Sequence, residues 1–200
     1  MFTQVSRIRP STSLAKSPAA LRSRFNRQRG ISIISVLLGL VISAIVVAVV
    51  YNQYTDSQGK ARVEAAQAEI ATMIASAQKL YGNANQYGAV TTAIAVQSGL
   101  VPDRLRVAGT TTAQNRYNGA ITFVPATITT ANDSLSMSYG AVNRADCQDL
   151  VLGLSTLVRS ISVGATAVKP NDLPVVIATM STACDGAATV AMTFTFGRGQ

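Results

Sequence analysis

From residue 30 to residue 55 the chain carries no charged side chain, and 31–50 is apolar at most positions. Twenty such residues, wound as a helix, reach across a hydrocarbon core of about 30 Å. Ser32, Ser35, Gly39 and Ser43 interrupt the run with small groups that bond back to the helix or let another helix approach. Tyr51 and Tyr54 follow, where aromatic rings favour a membrane interface. The pattern then changes rather than stops. Val63, Ala66, Ile70, Met73, Ala77 and Leu80 recur at spacings of three and four, an apolar stripe. Glu64 and Lys79 fall on the opposite face, with Arg62 and Glu69 towards the flanks. One helix over 31–81 is therefore predicted, roughly 75 Å long at about 1.5 Å per residue. Gly82-Asn83 is its stop and Gly59 its weak point. Its first half asks for lipid or neighbouring helices, its second half for the chain's own globular domain.

Beyond that helix the pattern shortens. Residues 89–99 read as a brief helix ended by Gly99 and Pro102, and 108–133, rich in Thr, Ala and Asn, as loops and short strands. Strands are predicted at 119–124 and at 134–140, the second alternating Leu135, Met137 and Tyr139. Asn143 followed by Asp146 resembles a helix start with acid at the positive end. Leu150, Val151, Leu154, Leu157, Val158 and Ile161 continue at helical spacing, a stripe explained by core packing alone. Further strands are predicted at 175–180 and 188–196, with Val190, Met192, Phe194 and Phe196 on one face of the latter.

Charge changes the picture only once it is divided. The chain has 17 basic and nine acidic residues, a net +8. Arg7, Arg9, Lys16, Arg22, Arg24, Arg27 and Arg29 all precede Gly30, and no acid does, so the remainder is almost balanced. The excess works as a cytoplasmic orientation signal. It does not describe a nucleic-acid-binding surface, and no nucleic acid is expected as a partner of the part after Gly30. That part is long enough for one compact domain besides the membrane helix.

Candidate chemistry is sparse. Histidine is absent and the acids are scattered, with Asp146 and Asp149 the only close pair. No catalytic residue, metal ligand or cofactor site is assigned, and an enzyme is not expected. Cys147 and Cys184 are the two cysteines. On the far side of a membrane they favour a structural disulfide; two buried free thiols are the alternative.

The order at the N-terminus is unusual. A basic leader ends in Arg29-Gly30 and runs directly into Ile31 and the apolar stretch. A secretory signal instead cuts after its apolar core. A cut at Gly30-Ile31 leaves the hydrophobic segment on the mature chain. This arrangement resembles the prepilins of type IV pili and type II secretion; an uncleaved signal anchor is the alternative reading of the junction. Further motifs narrow the likeness. They are Tyr87-Gly88 leading to Thr91-Thr92, then Gly99-Leu100-Val101-Pro102-Asp103, and Asn118-Gly119-Ala120-Ile121. Ala145-Asp146-Cys147-Gln148-Asp149-Leu150-Val151 and Ala183-Cys184-Asp185-Gly186 surround the cysteines. In this order they resemble the type IVb pilins, the class of toxin-coregulated, bundle-forming and conjugative thin-pilus subunits.

The resemblance implies an α+β type IV pilin fold, a long N-terminal helix packed on an antiparallel sheet. It implies a cleaved leader over 1–30, an assembly half of the helix over 31–54 and a periplasmic globular domain over 55–200. Gly30 and Ile31 would be the cleavage site and Ile31 the N-methylated residue. The disulfide between Cys147 and Cys184 would bound a region touching other subunits, with exposed loops over 164–174. The implied partners are identical or related pilin subunits, prepilin peptidase, and the assembly platform with its ATPase. Location would be the bacterial inner membrane before assembly and an extracellular pilus after it. Ser35 departs from the pattern, since pilins commonly carry Glu at the fifth residue after the cut, to neutralise a neighbour's N-terminal amine. A minor pilin or pseudopilin that starts or caps the fibre is therefore a second expectation. A single-pass periplasmic binding module that never polymerises is a third.

Overall fold

The computed structural model describes residues 33–82 and 86–197. The chain divides into two units, Met1–Val46 and Val47–Gln200. In the first, the described residues 33–46 are helical and exposed throughout. The second holds the core.

Helix α1 covers Ile33–Ala77 and continues into one π-helical turn, Gln78–Gly82; Gly59 does not interrupt it, and Asn83 of the expected stop lies outside the described residues. Val63, Ala66, Ile70, Met73 and Ala77 are buried as their spacing predicts, joined by Ile74. Leu80 is not; it is 47% exposed. The wider π turn advances fewer degrees per residue and carries Leu80 off the stripe. Helix α2, Thr92–Gln97, is shorter than the 89–99 expected, because 3-10 turn Tyr87–Ala89 precedes it. The Thr91 side chain caps α2 by accepting from the Ile94 amide at 3.3 Å.

The remaining elements follow as β1 (Ala113–Gln114), β2 (Ala120–Ala126), β3 (Ser134–Asn143), α3 (Arg144–Leu154), β4 (Ser160–Val163), β5 (Thr166–Lys169), α4 (Ile177–Asp185) and β6 (Thr189–Gly197). The six strands form one antiparallel sheet in the order β1-β2-β3-β6-β4-β5. Chain order and sheet order disagree in the middle. β3 passes through α3 to β4, leaving one place open, and β5 passes through α4 to fill it with β6.

Register aligns the alternation of every strand. Ile121 faces Tyr139 and Phe123 faces Met137; Met137 faces Phe194, and Ile161 also faces Phe194. All of these are buried and, with the α1 stripe and α3, make one hydrophobic cluster. The opposite face of the sheet presents short hydroxyl side chains in rows, Thr122-Ser138-Thr193-Ser162 in one of them. A sheet with one apolar and one polar face buries one side only. Between Tyr139 and Val142 the β3–β6 register shifts, and Ala141 takes the left-handed φ of 56° there.

Two predicted elements are corrected. Residues 175–180 are not a strand: Val176 is the extended N-cap residue, and α4 begins at Ile177. Met180 and Cys184, four apart, are its buried residues, a helical spacing hidden by the β-branched run before it. The stripe from Leu150 does not stay helical to Ile161; α3 ends at Leu154, Leu157 is 41% exposed, and Ile161 lies on β4. Residues 164–174 are only partly loop. They contain β5, whose Val168 and Lys169 are buried. Asn143 does occupy the N-cap of α3, but its side chain makes no capping bond.

Candidate functional site: the apolar helix and the clamps on its second half

Along 33–50 every residue of α1 is exposed, including thirteen large aliphatic side chains from Ile33 to Val50. The richest 18-residue window has a mean hydropathy of 3.1 and none of it is buried. By length and composition this helix suffices to cross a membrane. Full burial of one Val, Leu or Ile gains about 1.5–3 kcal/mol, so covering thirteen of them is worth on the order of 20 kcal/mol. Soluble monomers rarely expose a contiguous apolar surface of this kind. Its hydroxyls are turned inward: Ser43 donates to the Leu40 carbonyl at 2.9 Å, and Thr55 and Ser57 do likewise to Asn52 and Gln53. Ser35 sits exposed near the start of α1. Gly30 and Ile31, the expected cleavage and methylation positions, lie outside the described residues.

The second half of α1 is held by charge as well as by packing. Arg62 donates to Asp146 of α3 at 2.6 Å, and its guanidinium lies 5.4 Å from the centroid of the Tyr117 ring. Tyr117 meets Tyr139 edge to face at 6.2 Å. Tyr139 in turn donates to Glu69 at 3.4 Å. Glu69 is 1% exposed, and Arg116 spans both of its carboxylate oxygens through Nε and Nη2. Arg62 thus ties the helix to α3 and Glu69 ties it to the turn between β1 and β2, with Arg104 adding a longer contact to Glu69 at 3.3 Å. Burial pushes the Tyr139 phenol upward, and the negative charge of Glu69 adds to it. Burial also raises Tyr117, with Asp146 adding to it. The hydrogen bond to Asp146 raises the Arg62 guanidinium.

Two small residues permit these contacts. At Gly153 of α3 a Cβ would stand 2.1 Å from the Gln67 amide, which donates to the Asp149 carbonyl at 2.9 Å. At Gly119 a Cβ would stand 2.0 Å from the Gly140 carbonyl oxygen, where Asn115 also donates its side-chain amide.

Cys147 on α3 and Cys184 on α4 form a disulfide with Cα atoms 5.7 Å apart, both fully buried. The bond joins the two helices that carry the chain across the sheet and closes a loop of 37 residues. The chain-entropy gain for such a loop is about 4 kcal/mol. Glu69 was not singled out as a site by its position towards a flank. Its spacing, three after Ala66 and four before Met73, does place it on the buried stripe. Among the described residues no cluster of three His, Cys, Asp or Glu is placed to hold a metal ion.

Comparison with known proteins completes the site. The structure is similar to the crystal structure of a type IVb pilin from Salmonella typhi at 18% identity and a TM-score of 0.51. That likeness covers 68% of this chain and 99% of that one. TcpA, a type IV pilin from the El Tor biotype of Vibrio cholerae, gives 19% identity and a TM-score of 0.49, over 67% of this chain and 98% of its own. The search of curated proteins returned no significant match. A family model described as PilS N terminal matches residues 60–195, the stretch that contains both clamps, the sheet and the disulfide. With more than half of its length inside that match, the chain belongs to the PilS N-terminal family, and its fold is that of the type IVb pilins, the structural subunits of type IV pili.

Proposed function

We propose that this pilin is cut between Gly30 and Ile31 by prepilin peptidase, N-methylated at Ile31, and polymerised through 31–54 into the shaft of a type IVb pilus. Before assembly the apolar helix rests in the bacterial inner membrane, with 55–200 folded in the periplasm. An assembly platform and its ATPase move it into an extracellular fibre that serves adhesion, aggregation or conjugative contact. The carrying observation is the exposure of thirteen aliphatic side chains along the uncharged stretch 33–50, whereas the domain packs most of its large apolar residues into one cluster. The sheet supports the same reading by what it withholds. Its β1 edge is bridged by Arg106 to Ala113, and the Val176 amide donates to Val168 on the β5 edge. Strand addition at either edge is thereby blunted, and the helix remains as the route to polymerisation. Sequencing the N-terminus of the processed protein tests this: Ile31 is expected first, and an intact leader or a cut after Val50 overturns it.

A minor subunit that starts or caps the fibre is the second reading, favoured by Ser35 alone. Ser35 offers a neutral hydroxyl where the family pattern places a carboxylate. For a shaft subunit, Ser35→Glu is expected to leave pilus yield unchanged or raise it, counted by electron microscopy. A tip subunit is expected at trace amounts in purified fibres, whatever occupies position 35.

A further inference from the structure

Arg104 lies within the 3-10 turn Asp103–Leu105 and Arg106 directly follows it, while Arg116 lies in the turn from β1 to β2. With Glu69 below them these three arginines line a recess of about 420 Å³, walled also by Gln114 and Asn118. Its charge is unbalanced. Arg116 alone satisfies both oxygens of the buried Glu69. Arg104 adds its Nε at 3.3 Å from the same carboxylate while its side chain stays 63% exposed. Arg106 gives Nε to the Val101 carbonyl at 2.9 Å and Nη1 to Asp103 at 3.1 Å, a carboxylate that is 93% exposed. Among the described residues no hydrogen bond engages either Nη of Arg104, Nη1 of Arg116 or Nη2 of Arg106. Three arginines thus line a recess whose one acidic lining residue among the described residues is Glu69.

We propose that this recess is an oxyanion-binding site, taking a carboxylate or phosphate-type group between Arg104, Arg106 and Arg116. Guanidinium groups bind such oxyanions through paired, charge-assisted hydrogen bonds. Arg116 spans both oxygens of Glu69, so the longer contact of Arg104 and the exposed Asp103 partner of Arg106 leave guanidinium capacity for a second anion. Glu69 fixes the floor, and the ligand displaces Asp103 from Arg106. The group arrives either as a free inorganic ion or on an acidic sugar. The site needs only the folded domain and does not depend on polymerisation.

The test is isothermal titration of the full chain, in a neutral detergent, with inorganic phosphate and separately with glucuronate, at ionic strength held constant by sodium chloride. Saturable one-to-one binding of either is expected. Phosphate alone identifies a free ion as the ligand, and binding of glucuronate identifies an acidic sugar. Arg104→Gln is expected to weaken it about tenfold, equivalent to about 1.4 kcal/mol. Arg106→Gln is expected to act in the same direction. Arg144→Gln, an exposed arginine paired with Asp185 outside the recess, is expected to leave binding unchanged. Unaltered melting temperatures show that the variants are folded. Absence of saturable heat with both anions, or equal affinity in Arg104→Gln and the parent, overturns the proposal.

Discussion

Residues 33–50 and 63–77 are both regular α-helix in one element, yet they obey different rules. The first stretch is apolar on all sides, uncharged and wholly exposed; the second buries a stripe and keeps Glu64 and Thr72 outward. Charge separates them further. The second stretch and its approach carry Arg62 and Glu69, each answered by an opposite charge from another element, at Asp146 and Arg116. Both halves are helical although the first is rich in β-branched Val and Ile and the second in Ala. What distinguishes them is whether this chain itself supplies the neighbours. One stretch is completed within the molecule and the other only by something outside it.

The largest expected effect breaks the completed half. Glu69→Ala removes the carboxylate that Arg116 and Tyr139 contact and strands a partly buried guanidinium, at a cost of about 3–5 kcal/mol. Thermal or urea unfolding is expected to show that loss, and a change under about 1 kcal/mol would mean that the clamp is idle. Next in size, Val41→Asp places a charge in the middle of the other half. Insertion into a membrane then costs about 2.5–3.5 kcal/mol more. Membrane fractionation and fibre counts should fall while the disulfide and the melting temperature of the domain stay as they were. If that variant instead destabilises the domain, the two halves are not independent. The smallest effect sharpens the contrast on the side of the folded domain. Asp133 accepts from the amides of Ile128, Thr129 and Thr130 at 2.7–2.8 Å, and these bonds, that from Thr130 foremost, hold its carboxyl well below its ordinary value of 3.8. A lowered folded pKa adds stability above the unfolded value, and that stability is lost as the pH falls through the folded one. Stability measured from pH 5 downward is therefore expected to decline below about pH 4. Asp133→Asn should flatten that decline, and an unchanged slope would contradict it.

Much of the architecture was legible because its periods are clean. Leu135, Met137 and Tyr139, and Val190 to Phe196 on alternate positions, announce strands buried on one face, and their register in the sheet agrees. The α1 stripe was legible for the same reason. The failures fall where a short run satisfies two periods. Val175, Val176 and Ile177 look like a strand, but Ile177 opens a nine-residue helix that turns Met180 and Cys184 inward. Val158 keeps the spacing past the end of α3 because core contact, rather than helix, buries it, while Leu157 fits the spacing and is exposed. The apolar assembly surface was readable from composition. Glu69 was harder, since its partners Arg104 and Arg116 lie 35 and 47 residues away and are brought close by two separate turns, the 3-10 turn before β1 and the turn before β2.

The placement of β6 has a consequence for how the protein is made. A strand covering Thr189–Gly197 lies between β3 and β4, so neither has its full set of partners until the last stretch of polypeptide has been synthesised. A ribosome delivering the chain N-terminus first exposes the greasy helix early and the keystone of the sheet late. A premature stop codon between residues 82 and 189 would leave a product with its hydrophobic helix but without the strand that joins β3 to β4, and quality-control proteases would be expected to remove it.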